Sequence, residues 1–165
     1  MAKHLMVDME TMAVSPNAVV LSLGAVHFNP WGNGYGDKIY FKIDLDDQDK
    51  LGREIDPLTL EWWAKQDSKI MEEAFSPDDR ISLIDAMDQF HKFAWGCDAF
   101  WSHGATFDLV ILENIYRQLG KPLPWNYWQL RDTRTLFDLG YDPDMPQGSK
   151  HDALQDAIQI GRAHV

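Results

Sequence analysis

The sequence predicts a mixed α/β domain, and two patterns along the chain support this prediction. The first 45 residues contain three segments rich in apolar and β-branched residues, joined by short connections, as in an antiparallel meander. Later segments alternate between strand-like runs and runs with helical periodicity. We therefore expect a mixed five-stranded sheet, with an antiparallel meander plus parallel strands, flanked by helices.

The three strands of the meander are predicted from local composition. Residues 4–9 form a short apolar run that is typical of a buried strand. Residues 18–28 are enriched in β-branched side chains, which favour strands. A turn-forming cluster at 29–34 then leads to residues 37–45, where apolar and polar side chains alternate as in a strand with one solvated face.

Helical segments dominate the remainder of the chain. Asp56-Pro57 begins a short helix, because Asp is a favoured N-cap and Pro fits the first turn. The other expected elements are, in order, a helix at 78–94, a strand at 98–103, a helix at 107–119, a strand or short helix at 131–138, and a final helix at 152–163.

The composition predicts one globular domain over residues 1–165, with 45% hydrophobic and 12% aromatic residues. The single cysteine, Cys97, excludes an intramolecular disulfide and a cysteine-rich metal site. No secretory signal or membrane span is recognisable, so we expect a cytoplasmic protein without a membrane partner. The net charge of −11 argues against a broad basic surface for nucleic acid. It is compatible with binding of a few nucleotides through bound cations.

Two carboxylates lie at the end of the first strand. Asp8 and Glu10 are two residues apart, so in a strand they project from the same face. Oxygen ligands of this kind suit hard cations such as Mg²⁺ and Mn²⁺. Taken alone, the pair also fits a solvated strand end with two surface acids.

Three further residues complete a candidate catalytic set. Asp108 opens a helix directly after a strand, where an acid could also serve only to cap the helix. His151 and Asp156 frame the start of the last predicted helix, and imidazole is suited to accepting a proton near neutral pH. Together, four carboxylates and one histidine predict a site for two divalent cations beside a proton acceptor, which can cleave phosphodiester bonds.

The order of the motifs, Asp-x-Glu, Phe-Asp and His-x-Ala-x-x-Asp, resembles the DEDD superfamily of 3′–5′ exonucleases in its histidine-containing (DEDDh, DnaQ-like) branch. The resemblance extends from Leu5 to about Ala163. A Trp-Trp pair and an Arg-Asp-Thr-Arg-Thr segment make it similar to small stand-alone bacterial and phage members that are exoribonuclease-like. The resemblance implies a ribonuclease H-like fold and, as relatives such as ribonuclease T are dimers, a homodimer.

The resemblance also implies roles for individual residues. The ligands of two Mg²⁺ or Mn²⁺ ions would be Asp8, Glu10, Asp108 and Asp156, and the general base would be His151. For the substrate, Thr11 would contact the terminal nucleotide, and Phe107 would either support its base or pack in the core. Trp62 and Trp63 are adjacent and point about 100° apart on a helix, so one can pack while the other stacks on a base, or both can pack.

The expected function is hydrolysis of RNA from its 3′ end, on single strands or 3′ overhangs, with release of nucleoside 5′-monophosphates. A 3′–5′ exodeoxyribonuclease of the proofreading or phage recombination type remains an alternative, because no residue identifies itself as the 2′-hydroxyl contact. A catalytically inactive nucleic-acid-binding module on the same fold is a second alternative. A sugar-cleaving enzyme with paired carboxylates is a third, but it leaves His151 and two acids unexplained.

Overall fold

The protein is described by a computed structural model over residues 3–31, 35–140 and 157. Its centre is a mixed sheet in the order β4-β3-β2-β1-β5-β6. The strands are β1 (His4–Thr11), β2 (Val20–Phe28), β3 (Tyr35–Ile43), β4 (Arg80–Ile81), β5 (Ala99–Ser102) and β6 (Leu130–Asp132). The α-helices are α1 (Leu45–Lys50), α2 (Pro57–Ala64), α3 (Ser68–Phe75), α4 (Leu83–Ala94), α5 (Asp108–Gln118) and α6 (Thr133–Asp138), and a 3₁₀ turn covers Tyr127–Gln129.

The pairing of the strands confirms the predicted meander and the mixed sheet. β1 pairs antiparallel with β2, and β2 pairs antiparallel with β3. On the other side of β1, β5 runs parallel to it and β6 runs parallel to β5. The carboxyl ends of β1, β5 and β6 therefore meet at one edge of the sheet, which is where ligands bind in many α/β proteins.

The expected number of five strands was wrong, because residues 80–81 form a short parallel strand beside β3 instead of starting a helix. The guanidinium of Arg80 donates to the main-chain carbonyls of Leu21, Ile43 and Ala74 and holds this segment against the sheet. The helix begins only after Ser82, whose hydroxyl accepts the N–H of Asp85 at 3.1 Å.

The remaining segments relate to the expected pattern in three ways. The segment at 131–138 contains both proposed structures, since β6 ends at Asp132 and α6 follows it. The helices α1 and α3 were not predicted, and each begins at an Asp N-cap, Asp44 and Asp67 respectively. The helix predicted at 152–163 lies outside the described residues, except for Ala157, which is helical and buried.

Alternation along β1 directs its side chains to two different cores. Leu5, Val7 and Met9 join the main core with residues of α4 and α5. Met6 faces the other way, into a smaller cluster that includes Trp101 and Ala157. Because side chains alternate along a strand, Asp8 and Glu10 project from the same face as Met6. No helix of the described part of the chain is long and apolar enough to cross a membrane.

Candidate active site

The first two predicted ligands lie at the carboxyl end of the central strand β1. Asp8 is opposite Gly24 of β2, and Glu10 is opposite Ser22. A register shift follows immediately between Glu10 and Thr11, so that the chain leaves the regular ladder at this point. Bulges of this kind redirect side chains and occur often beside active sites.

Asp108 reaches this strand from the start of α5. It is 3% exposed, and its Oδ2 accepts the backbone N–H of Met9 at 2.9 Å. A hydrogen bond also joins the carboxyl groups of Asp108 and Asp8. Capping of its own helix would not account for these two contacts, which fasten the beginning of α5 to the strand that carries Asp8 and Glu10.

Burial makes the carboxyl group of Asp108 difficult to ionise. Desolvation raises the pKa of Asp108, and the charge of Asp132 also raises it, while the hydrogen bonds from the backbone of Met9 and from Asp8 act in the opposite direction. A buried carboxyl group in contact with a second one is stabilised by a shared proton or by a bound cation. The carboxyl oxygens of Asp8 and Asp108 are ligands of the kind that Mg²⁺ and Mn²⁺ prefer, and such a cation would neutralise their charge.

The described residues do not form a complete metal site by themselves. Among residues 3–31, 35–140 and 157, no group of three or more His, Cys, Asp or Glu side chains is placed to hold a metal ion. Asp8 and Asp108 are in contact, whereas Glu10 lines a neighbouring cavity. His151 and Asp156 lie outside the described residues, so their predicted roles stay predictions.

A cavity of about 480 Å³ opens beside Glu10. Its walls are mainly apolar, as expected for a pocket that receives a flat ring. All four residues predicted to contact substrate line this cavity, although they come from three separate segments. The lining residues are Met9, Glu10, Thr11, Val14, Asp56, Leu58, Thr59, Trp62, Trp63 and Phe107.

The two adjacent tryptophans occupy different environments. Trp63 is 2% exposed, and its indole Nε1 donates to the main-chain carbonyl of Thr11 at 2.9 Å. Trp62 is 41% exposed, and its ring meets that of Trp63 at 78° with 5.0 Å between centroids. Trp63 therefore builds the wall of the cavity, while Trp62 presents an accessible ring face.

A hydrogen-bonded cluster around Asp132, on the β6 side of the site, was not predicted from the sequence. The carboxylate of Asp132 accepts backbone N–H groups of Gly104, Ala105 and Arg134 at 3.2, 2.9 and 2.9 Å. Burial alone would raise the pKa of Asp132, but these hydrogen bonds and the charge of Arg134 outweigh it and the pKa is lowered.

The same cluster includes His103, whose Nδ1 lies 2.7 Å from the hydroxyl of the fully buried Thr133. These contacts fix the loop between β5 and Asp108. The available sequence signal was the Arg-Asp-Thr-Arg-Thr segment, in which an Asp precedes a helix in the N-cap position.

Comparison with known structures shows the same fold. Escherichia coli exonuclease I in its zinc-bound complex with single-stranded DNA superposes with a TM-score of 0.71 at 14% identity, covering 98% of this chain and 39% of that one. Its complex with a dT13 oligonucleotide gives a TM-score of 0.69 at 15% identity, with 99% and 40% coverage. The chain thus spans about two fifths of the length of exonuclease I, and the likeness confirms the expected ribonuclease H-like fold.

The sequence comparisons identify the family. No curated protein sequence matches the chain. A family model for the 3′–5′ exoribonuclease Rv2179c-like domain matches residues 3–164. The motifs that resemble DEDDh exonucleases and the fold shared with exonuclease I agree with this match. The chain therefore belongs to the family of 3′–5′ exoribonuclease Rv2179c-like domains.

Proposed function

We propose that the protein is a metal-dependent 3′–5′ exoribonuclease that hydrolyses single-stranded RNA or 3′ overhangs and releases nucleoside 5′-monophosphates. The observation that carries this proposal is the contact between Asp8 and the buried Asp108, whose chain neighbours Met9 and Phe107 line a mainly apolar cavity of about 480 Å³. The first feature suits a cation that binds phosphate, and the second suits a nucleobase. The preference for RNA rests on the family description.

The proposed ligands of two Mg²⁺ or Mn²⁺ ions are Asp8, Glu10, Asp108 and Asp156. When bound, such ions stabilise the charge on the phosphate and make a water molecule more acidic. Ala157, the residue after Asp156, packs with Met6 and Trp101 on the face of the sheet that carries Asp8. This packing supports the inclusion of Asp156. The zinc-bound form of exonuclease I supports a divalent cation in this fold.

The protein groups have separate tasks in this proposal. His151 accepts the proton of the attacking water, because imidazole is suited to proton transfer near neutral pH. The exposed ring of Trp62 stacks on the terminal base, and Thr11 and Phe107, which also line the cavity, contact the same nucleotide. Trp63 supports this surface from behind through its hydrogen bond to the carbonyl of Thr11.

A digestion assay tests the proposal. Matched RNA and DNA oligonucleotides, as single strands and as 3′ overhangs, are incubated with Mg²⁺, Mn²⁺ or a chelator, and products are resolved by length and by terminal group. We expect stepwise shortening from the 3′ end with 5′-monophosphates as products, only when a divalent ion is present. Absence of nucleotide release from every substrate would instead support an inactive binding module.

The variant His151→Ala provides a mechanistic control in the same assay. Loss of a general base lowers the rate on the order of 10²-fold or more, while binding of the oligonucleotide should persist. Near-normal turnover of this variant would remove His151 from the mechanism.

A 3′–5′ exodeoxyribonuclease is the second candidate, because the similar exonuclease I structures contain single-stranded DNA oligonucleotides. Faster digestion of the DNA series than of the RNA series would favour it. A homodimer is a further part of the proposal, and light scattering coupled to size-exclusion chromatography distinguishes it from a monomer.

A further inference from the structure

An exposed arginine lies on the flank of the site opposite to the cavity. Most of the cavity lining comes from the end of β1 and from α2, and Phe107 of the loop before α5 completes it. In the sheet, β5 and β6 lie on the other side of β1. Arg134 follows β6 as the second residue of α6 and is exposed. Along the sheet, Arg134 thus lies on the β6 side of β1, whereas α2 lies on the β2 side, where Trp63 packs with Leu21.

The position of Arg134 is set by the cluster around Asp132. The carboxylate that accepts the N–H of Arg134 also accepts those of Gly104 and Ala105 in the loop before Asp108. The Nε of Arg134 lies 3.7 Å from the point where a Cβ on Gly104 would stand. Gly104 has a φ of 108°, which side-chain-bearing residues rarely adopt. The guanidinium of Arg134 therefore lies within van der Waals range of this loop.

The charge of Arg134 is available for a ligand. Among the described residues, it forms no ion pair with a carboxylate at contact distance. Arg131, three residues earlier and also exposed, differs because its guanidinium donates to the carbonyls of Trp128 and Leu130. In a chain of net charge −11, a guanidinium with open donors beside an acidic site is suited to a phosphate, which it can bind in bidentate fashion.

We infer that Arg134 binds the backbone phosphate on the 5′ side of the scissile bond, in a second phosphate subsite. This inference rests on the proposed function. With the terminal nucleotide in the cavity and the scissile phosphate at Asp8 and Asp108, the remaining strand leaves over the loop at Gly104, where Arg134 lies. The contact is to phosphate only and carries no base preference.

Short substrates that differ by one phosphate test this inference. The wild-type protein should cleave a 5′-phosphorylated dinucleotide with a kcat/KM roughly tenfold higher than the same dinucleotide without the 5′ phosphate, the scale of one charged hydrogen bond. Arg134→Gln should abolish this difference and leave cleavage of the unphosphorylated dinucleotide unchanged. On longer oligonucleotides, it should also lower the salt dependence of binding by about one counterion.

Two variants serve as controls for this experiment. Arg134→Lys keeps the charge and should restore part of the preference. Arg131→Gln removes an equally exposed arginine from the same segment and should retain all of it. The inference would be overturned if Arg134→Gln still preferred the 5′-phosphorylated dinucleotide. It would also be overturned if Arg131→Gln lost this preference to the same extent as Arg134→Gln.

Binding measurements separate this inference from the proposed function. If the wild-type protein releases no nucleotide, the proposed function fails, but anisotropy with fluorescent dinucleotides still reports the contact. Weaker binding of Arg134→Gln to the 5′-phosphorylated form alone supports the subsite, and equal affinity for both forms contradicts it.

Discussion

Asp108 is the residue that joins the two halves of the candidate site. Its carboxylate contacts Met9, which is 99 residues earlier in the chain, and the carboxyl group of Asp8. Asp108 is buried, so its negative charge is costly unless a cation compensates it. If Asp108 is a metal ligand as proposed, it should affect both the stability of the free protein and its affinity for metal.

Asp108→Asn separates these two effects. The amide oxygen can still accept the N–H of Met9, so we expect the fold to persist and the metal-free protein to lose no stability. Added Mn²⁺ should no longer raise the melting temperature, because a ligand stabilises only the state that binds it. Nucleotide release should fall on the order of 10²-fold or more. An undiminished Mn²⁺ shift together with full activity would exclude Asp108 as a ligand.

The tryptophan pair offers a second test at the same scale. Trp62→Ala removes an exposed ring, so stability should change little, whereas KM should rise by roughly tenfold or more from the loss of stacking worth about 1–3 kcal/mol. Trp63→Phe keeps much of the volume but leaves the carbonyl of Thr11 without its donor. It should lower the free energy of unfolding by about 1–3 kcal/mol.

Urea denaturation and steady-state kinetics on both variants measure these effects. The buried and exposed fractions of the two rings predict opposite patterns, a kinetic effect for Trp62 and a stability effect for Trp63. Equal losses of stability in the two variants would contradict the assignment of Trp62 as the accessible ring.

At the scale of elements, the sequence predicted the helices and strands that depend on local patterns and missed those that depend on contacts distant in the chain. The meander and α5 were predicted because their apolar patterns are local. β4 was missed because its conformation depends on Arg80 reaching carbonyls 59 and 37 residues away, at Leu21 and Ile43. No local pattern reports such contacts, and tertiary interactions routinely override propensity.

In the candidate site, the carboxylates could be placed from local patterns, whereas the cavity could not. Strand alternation was sufficient to place Asp8 and Glu10 on one face, and the meeting of strand ends was sufficient to bring Asp108 near. The cavity beside them could not be predicted from the chain alone. It depends on the register shift after Glu10 and on the docking of α2 through Trp63.

Asp132 allows the loop between β5 and α5 to be tested as an element. Asp132→Ala removes the acceptor of three backbone N–H groups and the N-cap of α6. We expect the free energy of unfolding to fall by about 1–3 kcal/mol, with a further loss of activity because Asp108 follows this loop. Asp132→Asn keeps an acceptor oxygen and should lie between the wild type and Asp132→Ala in urea denaturation.

The contribution of Asp132 should also depend on pH. Since its folded pKa is lowered, the stabilisation is present above the ordinary pKa of about 3.8 and is lost as the pH falls through the folded value. Between pH 6 and 8, the difference between wild type and Asp132→Ala should therefore stay constant. A difference that changes across this interval would indicate another origin.

For the whole molecule, two buried histidines predict lower stability in mild acid. Burial lowers the pKa of both His4 and His27. His4 is neutral in the fold, since its Nδ1 accepts the indole N–H of Trp101 at 2.9 Å. Their contribution is complete above the unfolded pKa of about 6.5 and is lost as the pH falls from there towards the lower folded values.

The expected slope is at most about 1.4 kcal/mol per pH unit for each histidine. Urea denaturation at several values between pH 7.5 and 5.5 measures it. His4→Gln, which takes up no proton, should be less stable than wild type at pH 7.5 but should depend less on pH. Asp108, whose pKa is raised, contributes in the opposite sense over this interval in both proteins, so the comparison of the two profiles isolates His4. Equal pH dependence in the wild type and His4→Gln would show that His4 does not change its protonation on unfolding.

The register shift after Glu10 has a consequence for substrate choice. One continuous stretch of backbone carries Asp8 and Glu10 and then, at Thr11, accepts the indole of Trp63. The separation between the carboxylates and the cavity wall is thus set by one short stretch of backbone. If the protein is an exonuclease as proposed, this fixed separation should match a terminal nucleotide with a free 3′-hydroxyl, and ends with a 3′-terminal phosphate should bind out of alignment and resist cleavage.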